Sequence, residues 1–167
     1  MSSRHARMVE RVERRATYTT LSAIFLAIFG AFTLRLRRER EDLQLQPLDL
    51  VQLGFATYRL GRLTAYDKVA ETYRAPFTET IQDQTGAGKT VVPEGMGVQR
   101  ALGELVSCPI CAGTWIAAAL VYGLNLAPRP TRTFLAVMSS VGVAELLNAA
   151  TEFMQWTGQA ERKEAGS

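Results

Sequence analysis

The sequence predicts an all-α protein, a multi-pass transmembrane helical bundle with three full membrane helices and one short, partly inserted helix. Of its 167 residues, 47% are hydrophobic and 21% are charged. The two kinds are segregated along the chain, which is typical of a membrane protein with polar loops rather than of a soluble domain. Three apolar segments are long enough to cross a bilayer, and charged stretches separate them.

The longest uncharged segment is the run 105–128. Pro109 is suited to the first turn of a helix, with Ser107 or Cys108 as its N-cap. A helix over 109–127 is about 28 Å long, close to the thickness of the hydrocarbon layer. The sequence therefore predicts a membrane helix that begins beside the only two cysteines of the chain.

A first membrane helix is predicted over the uncharged run 16–34. A secretory signal peptide is the alternative, but the run ends in a series of arginines that starts at Arg35, rather than in a cleavage site. Small residues recur at a spacing of four within it, at Ala23, Ala27 and Ala31. This spacing suits close contact with another helix. Residues 1–47 are thus expected to form a polar lead-in and the first membrane helix.

The last apolar segment is predicted over 133–151, after a tight turn at 128–132. Small residues again recur at a spacing of four, at Ala136, Ser140 and Ala144. Glu145 interrupts the segment near its middle, and a carboxylate within a membrane span normally faces the interior of the bundle. The charged residues 157–167 are predicted to form a loose tail.

The segment 48–63 is ambiguous. It has the apolar spacing of a helix, but only residues 50–58 are uncharged before Arg59, which is short for a clean span. Arg59 and Arg62 share a helix face and can reach the lipid headgroups. We therefore expect an interfacial or partly inserted helix at the start of a membrane domain over 48–156.

Residues 64–103 are predicted to be a polar cytosolic loop. Within them, 83–90 are similar to a phosphate-binding loop, but the first glycine of that motif is missing and no hydrophobic strand is expected ahead of it. The run 91–93, Val-Val-Pro, also disfavours the helix that has to follow. No nucleotide is therefore expected, and a net charge of only +3 gives no indication of nucleic-acid binding.

The distribution of lysine and arginine indicates which side of the membrane each segment faces. With four membrane segments and residues 64–103 inside, 13 of the 19 basic residues lie in the cytosol, and with three segments 12 do. Both arrangements place 64–103 on the cytosolic side of a bacterial inner membrane. They differ in the side on which the N-terminus lies.

Three stretches of the chain resemble a bacterial membrane protein family. They are the run Ala56-Thr-Tyr-Arg-Leu-Gly-Arg-Leu63 with Asp67, the run Arg74-Ala-Pro-Phe77, and the run Gly103-Glu-Leu-Val-Ser-Cys-Pro-Ile-Cys-Ala-Gly-Thr-Trp115. Together they are similar to domain-of-unknown-function family 1360, which includes a sporulation-associated membrane protein. The resemblance implies a small multi-pass membrane protein with a Cys-Pro-x-Cys motif at the membrane face. It implies no activity.

Cys108 and Cys111 allow three interpretations. A thiolate at a helix N-terminus has a lowered pKa and is nucleophilic, as in a redox pair, although the strand–helix pattern of such proteins is missing. Two thiolates also supply half of a tetrahedral zinc site, whose other half would come from Asp67, Glu104 or a second subunit. The third and simplest interpretation is two small thiols packed near the start of a helix.

A polar cluster is predicted at the membrane face, formed by Arg59, Arg62, Asp67, Arg74 and Glu145. Such a cluster could bind an anionic lipid headgroup or a protein partner. Alternatively, Arg59 or Arg62 neutralises Glu145 within the bundle, because an unpaired charge there is costly. We favour the structural interpretation.

The sequence contains no nucleophile–base pair and no complete catalytic motif, so no catalytic residue is assigned and an enzyme is not favoured. We expect an interaction or scaffold module embedded in the lipid bilayer, which forms homo-oligomers through its small-residue helix faces. The alternative is a thiol-redox or zinc-binding membrane protein that uses Cys108 and Cys111.

Overall fold

The computed structural model describes residues 2–39, 45–82 and 89–165. These ranges contain the following helices and strands: α1 (Ser2–Glu39), α2 (Pro47–Tyr66), α3 (Glu71–Arg74), β1 (Thr78–Gln82), β2 (Lys89–Pro93), α4 (Gly97–Ser107), α5 (Pro109–Leu126) and α6 (Pro128–Ala165). A short 3-10 turn, Lys68–Ala70, joins α2 to α3. The fold is therefore predominantly helical, as predicted, with one strand hairpin that was not expected.

Three of the helices are long and apolar enough to cross a membrane, judged by length and composition. Their apolar parts are Arg15–Leu36 in α1, Pro109–Leu126 in α5 and Pro128–Gly158 in α6. No residue of Arg15–Leu36 is buried, and few residues of the other two parts are. The three long apolar helices predicted from the sequence are thus confirmed.

The helix α2 runs antiparallel to α5 and packs along it. A Cβ atom added at Gly61 would lie 2.5 Å from the backbone oxygen of Pro109, and one added at Gly113 would lie 3.5 Å from Thr57. The end of α2 therefore meets the beginning of α5. Position 61 requires glycine because a side chain would collide with backbone atoms of the other helix.

The same helix, α2, runs parallel to α6. Near the beginning of both helices, Asp49 pairs with Arg132 at 3.3 Å. Near the end of α2, Arg62 pairs with Glu145 at 2.6 Å. The helix predicted to be short and partly inserted is therefore the central helix of the fold, because it contacts both α5 and α6 along its length.

The hydrophobic core is small and lies among α2, α5 and α6. Its buried residues are Leu53, Ala56, Leu120, Leu124 and Leu135. Close approach of α2 and α6 depends on Gly142, where a Cβ atom would lie 2.6 Å from the backbone oxygen of Phe55. Because so few large side chains are buried, most of the apolar surface of the long helices faces outward.

The helix α1 lies along α5 in the same direction. The rings of Phe25 and Trp115 pack edge to face, with their centroids 5.0 Å apart. Nearer the N-terminus, the Tyr18 hydroxyl donates a hydrogen bond to the carboxylate of Glu104 in α4. The four helices α1, α2, α5 and α6 therefore alternate in direction along the chain.

The polar segment 64–103, predicted to be a cytosolic loop, contains helices and strands in its described parts, 64–82 and 89–103. The strands β1 and β2 form an antiparallel hairpin in which Thr78 lies opposite Pro93, and α4 packs on β2. Each strand has few apolar residues, and its stability depends on pairing across the hairpin, which is not visible in either strand alone. The proposed phosphate-binding stretch falls partly here: 83–88 lie outside the described residues, and Lys89 begins a strand instead of a helix.

Two other boundaries differ from the prediction. The turn expected at 128–132 is the first turn of α6, because proline at position 128 is favourable at the first helical position, and only Ala127 separates α5 from α6. The tail expected at 157–167 is helical as far as Ala165. Its alanine, glutamate, lysine and arginine residues are good helix formers and continue the helix.

Candidate functional site

Four of the five residues of the predicted polar cluster lie together where α2 meets α6. Arg59 Nη2 donates to Asp67 Oδ2 at 2.5 Å, and Arg62 Nε donates to Glu145 Oε1 at 2.6 Å. Arg59 Nε also lies 3.8 Å from Glu145 Oε2. All four side chains are partly buried. With Arg74, we call them the arginine cluster.

Arg74 is buried beneath the end of α2. Its Nη1 donates to the backbone oxygens of Thr64, at 3.3 Å, and Asp67, at 2.8 Å. The last carbonyls of a helix have no donors within the helix, so an arginine that reaches them stabilises its end. Within the described ranges Arg74 pairs with no carboxylate, and its Nε has no hydrogen-bond partner. Arg74 therefore positions Asp67, which in turn holds Arg59.

The arginine cluster lies at one end of the apolar helices. Glu145 is 17 residues after Pro128, about 26 Å along the axis of α6. Gly61, beside Arg62, touches Pro109 at the start of α5. Glu145 lies near the middle of the apolar part of α6, as expected, and the packing of α2 places it level with the start of α5.

Two tyrosines that sequence reasoning missed flank Arg62. The guanidinium carbon of Arg62 lies 5.8 Å from the ring centre of Tyr58 and 5.6 Å from that of Tyr66. Both rings are within range of a cation–π interaction. The sequence could have predicted this arrangement, because Tyr58, Arg62 and Tyr66 are spaced four residues apart and residues at that spacing share a helix face.

A second ion pair at the opposite end of α2 was also missed. Asp49 is only 5% exposed; it accepts a hydrogen bond from the Gln46 backbone at 3.0 Å and pairs with Arg132. A carboxylate in the first turn of a helix is favourable because it binds free backbone donors there. The sequence could have indicated this role, because Asp49 lies two residues after Pro47, in the first turn of the helix.

The two cysteines lie at the start of α5, near the end of α2. Cys108 is the N-cap of α5 and is one of the two residues predicted for that position. Its Sγ accepts a hydrogen bond from the Cys111 backbone at 3.3 Å. Both thiols are free, and Cys111 is exposed. A hydrogen bond from the Cys111 thiol lowers the pKa of Cys108 below its usual value, assisted by backbone donors. Cys108 is therefore the better nucleophile of the pair.

The structure does not bring the expected carboxylates to the cysteines. Asp67 is engaged with Arg59, and Glu104 pairs with Arg100 at 3.4 Å. In the part of the chain that the structure describes, no three histidine, cysteine or acidic residues lie close enough to hold a metal ion.

Known proteins match the region that contains these sites. Residues 52–151 match the family described as "Protein of unknown function (DUF1360)". Sporulation protein YjcA of Bacillus subtilis (strain 168) is 29% identical over 103 residues, which cover 60% of this chain and 87% of that protein. The UPF0713 protein YngL of the same organism is 30% identical over 105 residues, which cover 62% of this chain and 78% of that protein. No solved structure matches.

The matched region contains all five residues of the arginine cluster and both cysteines. It also contains Gly61 and Pro109, at the close contact between α2 and α5. The helix α1 lies outside it. Since the match covers more than half of the chain, this protein belongs to the DUF1360 family, as the sequence motifs predicted.

Proposed function

We propose that this protein is an integral protein of the bacterial inner membrane and acts there as a non-enzymatic interaction or scaffold module. The observation that carries the proposal is the outward-facing apolar surface of the long helices. Large side chains on this surface include Leu26 of α1, 64% exposed, and Leu147 of α6, 63% exposed. A continuous surface of this kind is unfavourable in water and is solvated by lipid in a bilayer.

The hydroxyl groups of the long helices support insertion. Each of the following donates to the backbone oxygen four residues earlier: Thr19, Thr20, Thr33, Thr114, Thr133, Ser140 and Thr151. The bilayer interior offers no water as a hydrogen-bond partner, so polar groups there have to be satisfied within the protein.

The helix directions favour four membrane crossings, with α2 inside the bundle. The helices α1 and α5 point one way and α2 and α6 the other, so the start of α1, the end of α6 and the described parts of 67–107 share one side. This arrangement puts 13 of the 19 basic residues on that side, which is then the cytosolic side. Under this proposal the N-terminus lies in the cytosol.

The scaffold role is supported by helix faces that remain uncovered in the single chain. The two rows of small residues predicted to mediate association are exposed: Ala23, Ala27 and Ala31 in α1, and Ala136, Ser140 and Ala144 in α6. Small residues allow the backbones of two membrane helices to approach closely. We propose that a second copy of the chain packs on the α1 row.

Alkaline extraction of membranes followed by subunit counting in bilayers tests the proposal. We expect the protein to stay in the membrane and to form oligomers that Ala27→Leu weakens, while Ser22→Leu, on another face of α1, leaves them intact. The double variant Cys108→Ser and Cys111→Ser should keep the wild-type assembly. Release by alkali would contradict membrane insertion, and a monomer at every protein-to-lipid ratio would contradict self-association.

A second candidate function is a thiol-redox or zinc role of the cysteine pair. It is favoured by the position of Cys108 at a helix N-terminus with a lowered pKa and by the exposure of Cys111. Metal content and free thiols are measured on protein purified under reducing conditions. Half an equivalent of zinc per chain, with thiols protected until chelation, indicates a site shared by two chains. Two freely titrating thiols and no metal contradict the zinc role and leave the redox potential to be measured.

A further inference from the structure

The outer face between α2 and α6 carries an apolar groove. One hollow, of about 460 Å³, is lined by Leu50, Val51, Gly54, Phe55, Tyr58 and Leu146. A second, of about 350 Å³, adjoins it, because Val51 and Phe55 line both, and its lining also includes the polar residues Gln52, Ser139 and Ser140. We call the two hollows the α2–α6 groove. Each volume falls within the roughly 300–1,000 Å³ of sites that bind small molecules.

One end of the α2–α6 groove is cationic. Tyr58 lines the groove and stacks against Arg62, and Leu146 lines it and follows Glu145 in α6. The side chain of Arg62 is 43% exposed. Its Nε is bonded to Glu145, but its two terminal nitrogens have no hydrogen-bond partner among the residues that the structure describes. These nitrogens are available to phosphate oxygens, which guanidinium groups bind well.

The charge of the arginine cluster favours an anionic occupant. Asp67 and Glu145 balance two of its three guanidinium groups, while Arg74 donates only to backbone oxygens. Counted over these five residues, one positive charge is left over, and it is that of the buried Arg74. The cluster is level with the start of α5, where the proposed membrane arrangement places the headgroups, and basic groups between helices at that level attract anionic lipids.

We propose that an anionic phospholipid binds at this site, with its phosphate on Arg62 between Tyr58 and Tyr66 and an acyl chain along the α2–α6 groove. The inference rests on the proposed membrane insertion and adds a specific ligand class to it. An apolar groove that ends at a partly exposed cation matches a molecule with an apolar tail and an anionic head. A soluble anion would occupy only the cationic end of the site, and an apolar helix would occupy only the groove.

The test uses the full chain in nanodiscs that contain phosphatidylglycerol and phosphatidylcholine with the same acyl chains. Lipids retained after detergent exchange are measured by mass spectrometry. We expect retention of phosphatidylglycerol over phosphatidylcholine, and Arg62→Gln to reduce the preference about fivefold, the effect of one basic residue at an anionic surface. Arg62→Lys should keep most of it. Gly54→Leu should reduce retention of both lipids, because a Cβ at position 54 meets open space and a larger side chain fills the groove.

Two matched controls separate the site from general effects. Arg132 is also a half-exposed arginine paired with a carboxylate, but at the other end of α2, and position 30 in α1 is also open. Arg132→Gln and Gly30→Leu should leave lipid retention unchanged. Helix content and thermal midpoint in phosphatidylcholine nanodiscs establish that each variant folds.

Several results would overturn the lipid site while leaving membrane insertion intact. They are equal retention of both lipids by the wild type, an equal effect of Arg132→Gln and Arg62→Gln, and displacement of the lipid by glycerol phosphate alone. Loss of a cross-linked dimer in Gly54→Leu would place a second copy of the chain in the groove instead. Failure of the proposed function is recognised separately, by release of the protein during alkaline extraction.

Discussion

At the scale of single residues, Glu145 is the acceptor on which two arginines converge. Arg62 donates to one of its oxygens at 2.6 Å, and Arg59 lies 3.8 Å from the other. Without this carboxylate the arginine cluster would hold three cations and only Asp67 as counter-charge. The carboxylate is therefore a counter-charge for these arginines, and its removal would leave them partly buried with less compensation.

We expect Glu145→Gln to lower the free energy of unfolding by about 1–3 kcal/mol, the cost of removing a hydrogen bond to a charged group. The loss is smaller than that for a fully buried pair, because the carboxylate is 28% exposed. Glu152 is the matched control. It lies on the same helix, is exposed and accepts a hydrogen bond from Asn148 at 2.9 Å. Unfolding by denaturant in mixed micelles measures both variants, and an equal loss in Glu152→Gln would contradict the prediction.

The cysteine pair makes a second prediction at this scale, about pH. Because the Cys111 thiol donates to Cys108 and lowers its pKa, Cys108 should be alkylated at lower pH than an ordinary thiol. Cys111→Ser keeps a side-chain donor and Cys111→Ala removes it. The midpoint of the rate–pH profile of Cys108 should therefore be higher in the alanine variant, and identical midpoints would contradict the assignment.

The lowered pKa of Cys108 also determines how the stability that this residue contributes changes with pH. The folded state binds the proton of Cys108 less tightly than the unfolded chain does. Its contribution to stability is fully present above the unfolded pKa of about 8.5 and is lost as the pH falls through the folded value.

At the scale of elements, α2 organises the fold although it is not among the helices apolar enough to cross a membrane by composition alone. Its beginning is held by the Asp49–Arg132 pair and its end by Arg74 and the Glu145 pair. Glycines bring it into backbone contact with both neighbours. The charged residues that made it an ambiguous span are the residues that attach it to α6.

The crossing of α2 and α5 makes a prediction with an internal control. Gly61→Ala and Gly54→Ala both gain helix propensity, about 1 kcal/mol each. At position 54 the new methyl group meets open space, whereas at position 61 it would lie 2.5 Å from the backbone oxygen of Pro109.

Overpacking of this kind costs about 1–3 kcal/mol. We therefore expect Gly54→Ala to raise the thermal midpoint in detergent and Gly61→Ala to lower it. Equal shifts of both variants would show that the close approach of α2 and α5 is not needed for stability.

At the scale of the whole molecule, α1 is attached differently from the other long helices. It lies outside the family match, packs on α4 and contacts α5 through aromatic rings. Phe25 packs on Trp115, and Phe32 lies on Tyr122 with ring centroids 4.2 Å apart. Such aromatic pairs contribute about 0.5–1.5 kcal/mol each beyond area burial. The domain of α2 to α6 therefore has its own core, and α1 is added to its side.

The alternating helix directions make a topological prediction. In a Cys108→Ser, Cys111→Ser background, single cysteines at Val12 and Gly158 should be protected from an impermeant maleimide in intact spheroplasts and react in inverted vesicles. A cysteine at Arg129 should show the opposite pattern. Labelling of the Val12 variant from outside would support three crossings instead of four and would contradict the proposed arrangement.

Local signals in the sequence predicted much of this protein. Uncharged runs predicted the three long apolar helices, because the period and length of an apolar segment depend only on that segment. The start of α5 at Pro109 with Cys108 as its cap was predictable for the same reason, since capping involves neighbours in the chain. The family followed from short motifs around Arg59 and Cys108.

Tertiary structure decided the features that join distant parts of the chain. The hairpin exists because β1 and β2 pair with each other, and α2 is central because Gly61 and Gly142 fit against the backbones of other helices. The sequence grouped Arg59, Arg62 and Glu145 into one predicted cluster but could not choose which arginine binds which carboxylate. That choice, and the groove beside it, depends on how three helices pack, which is a property of contacts between segments rather than of any segment alone.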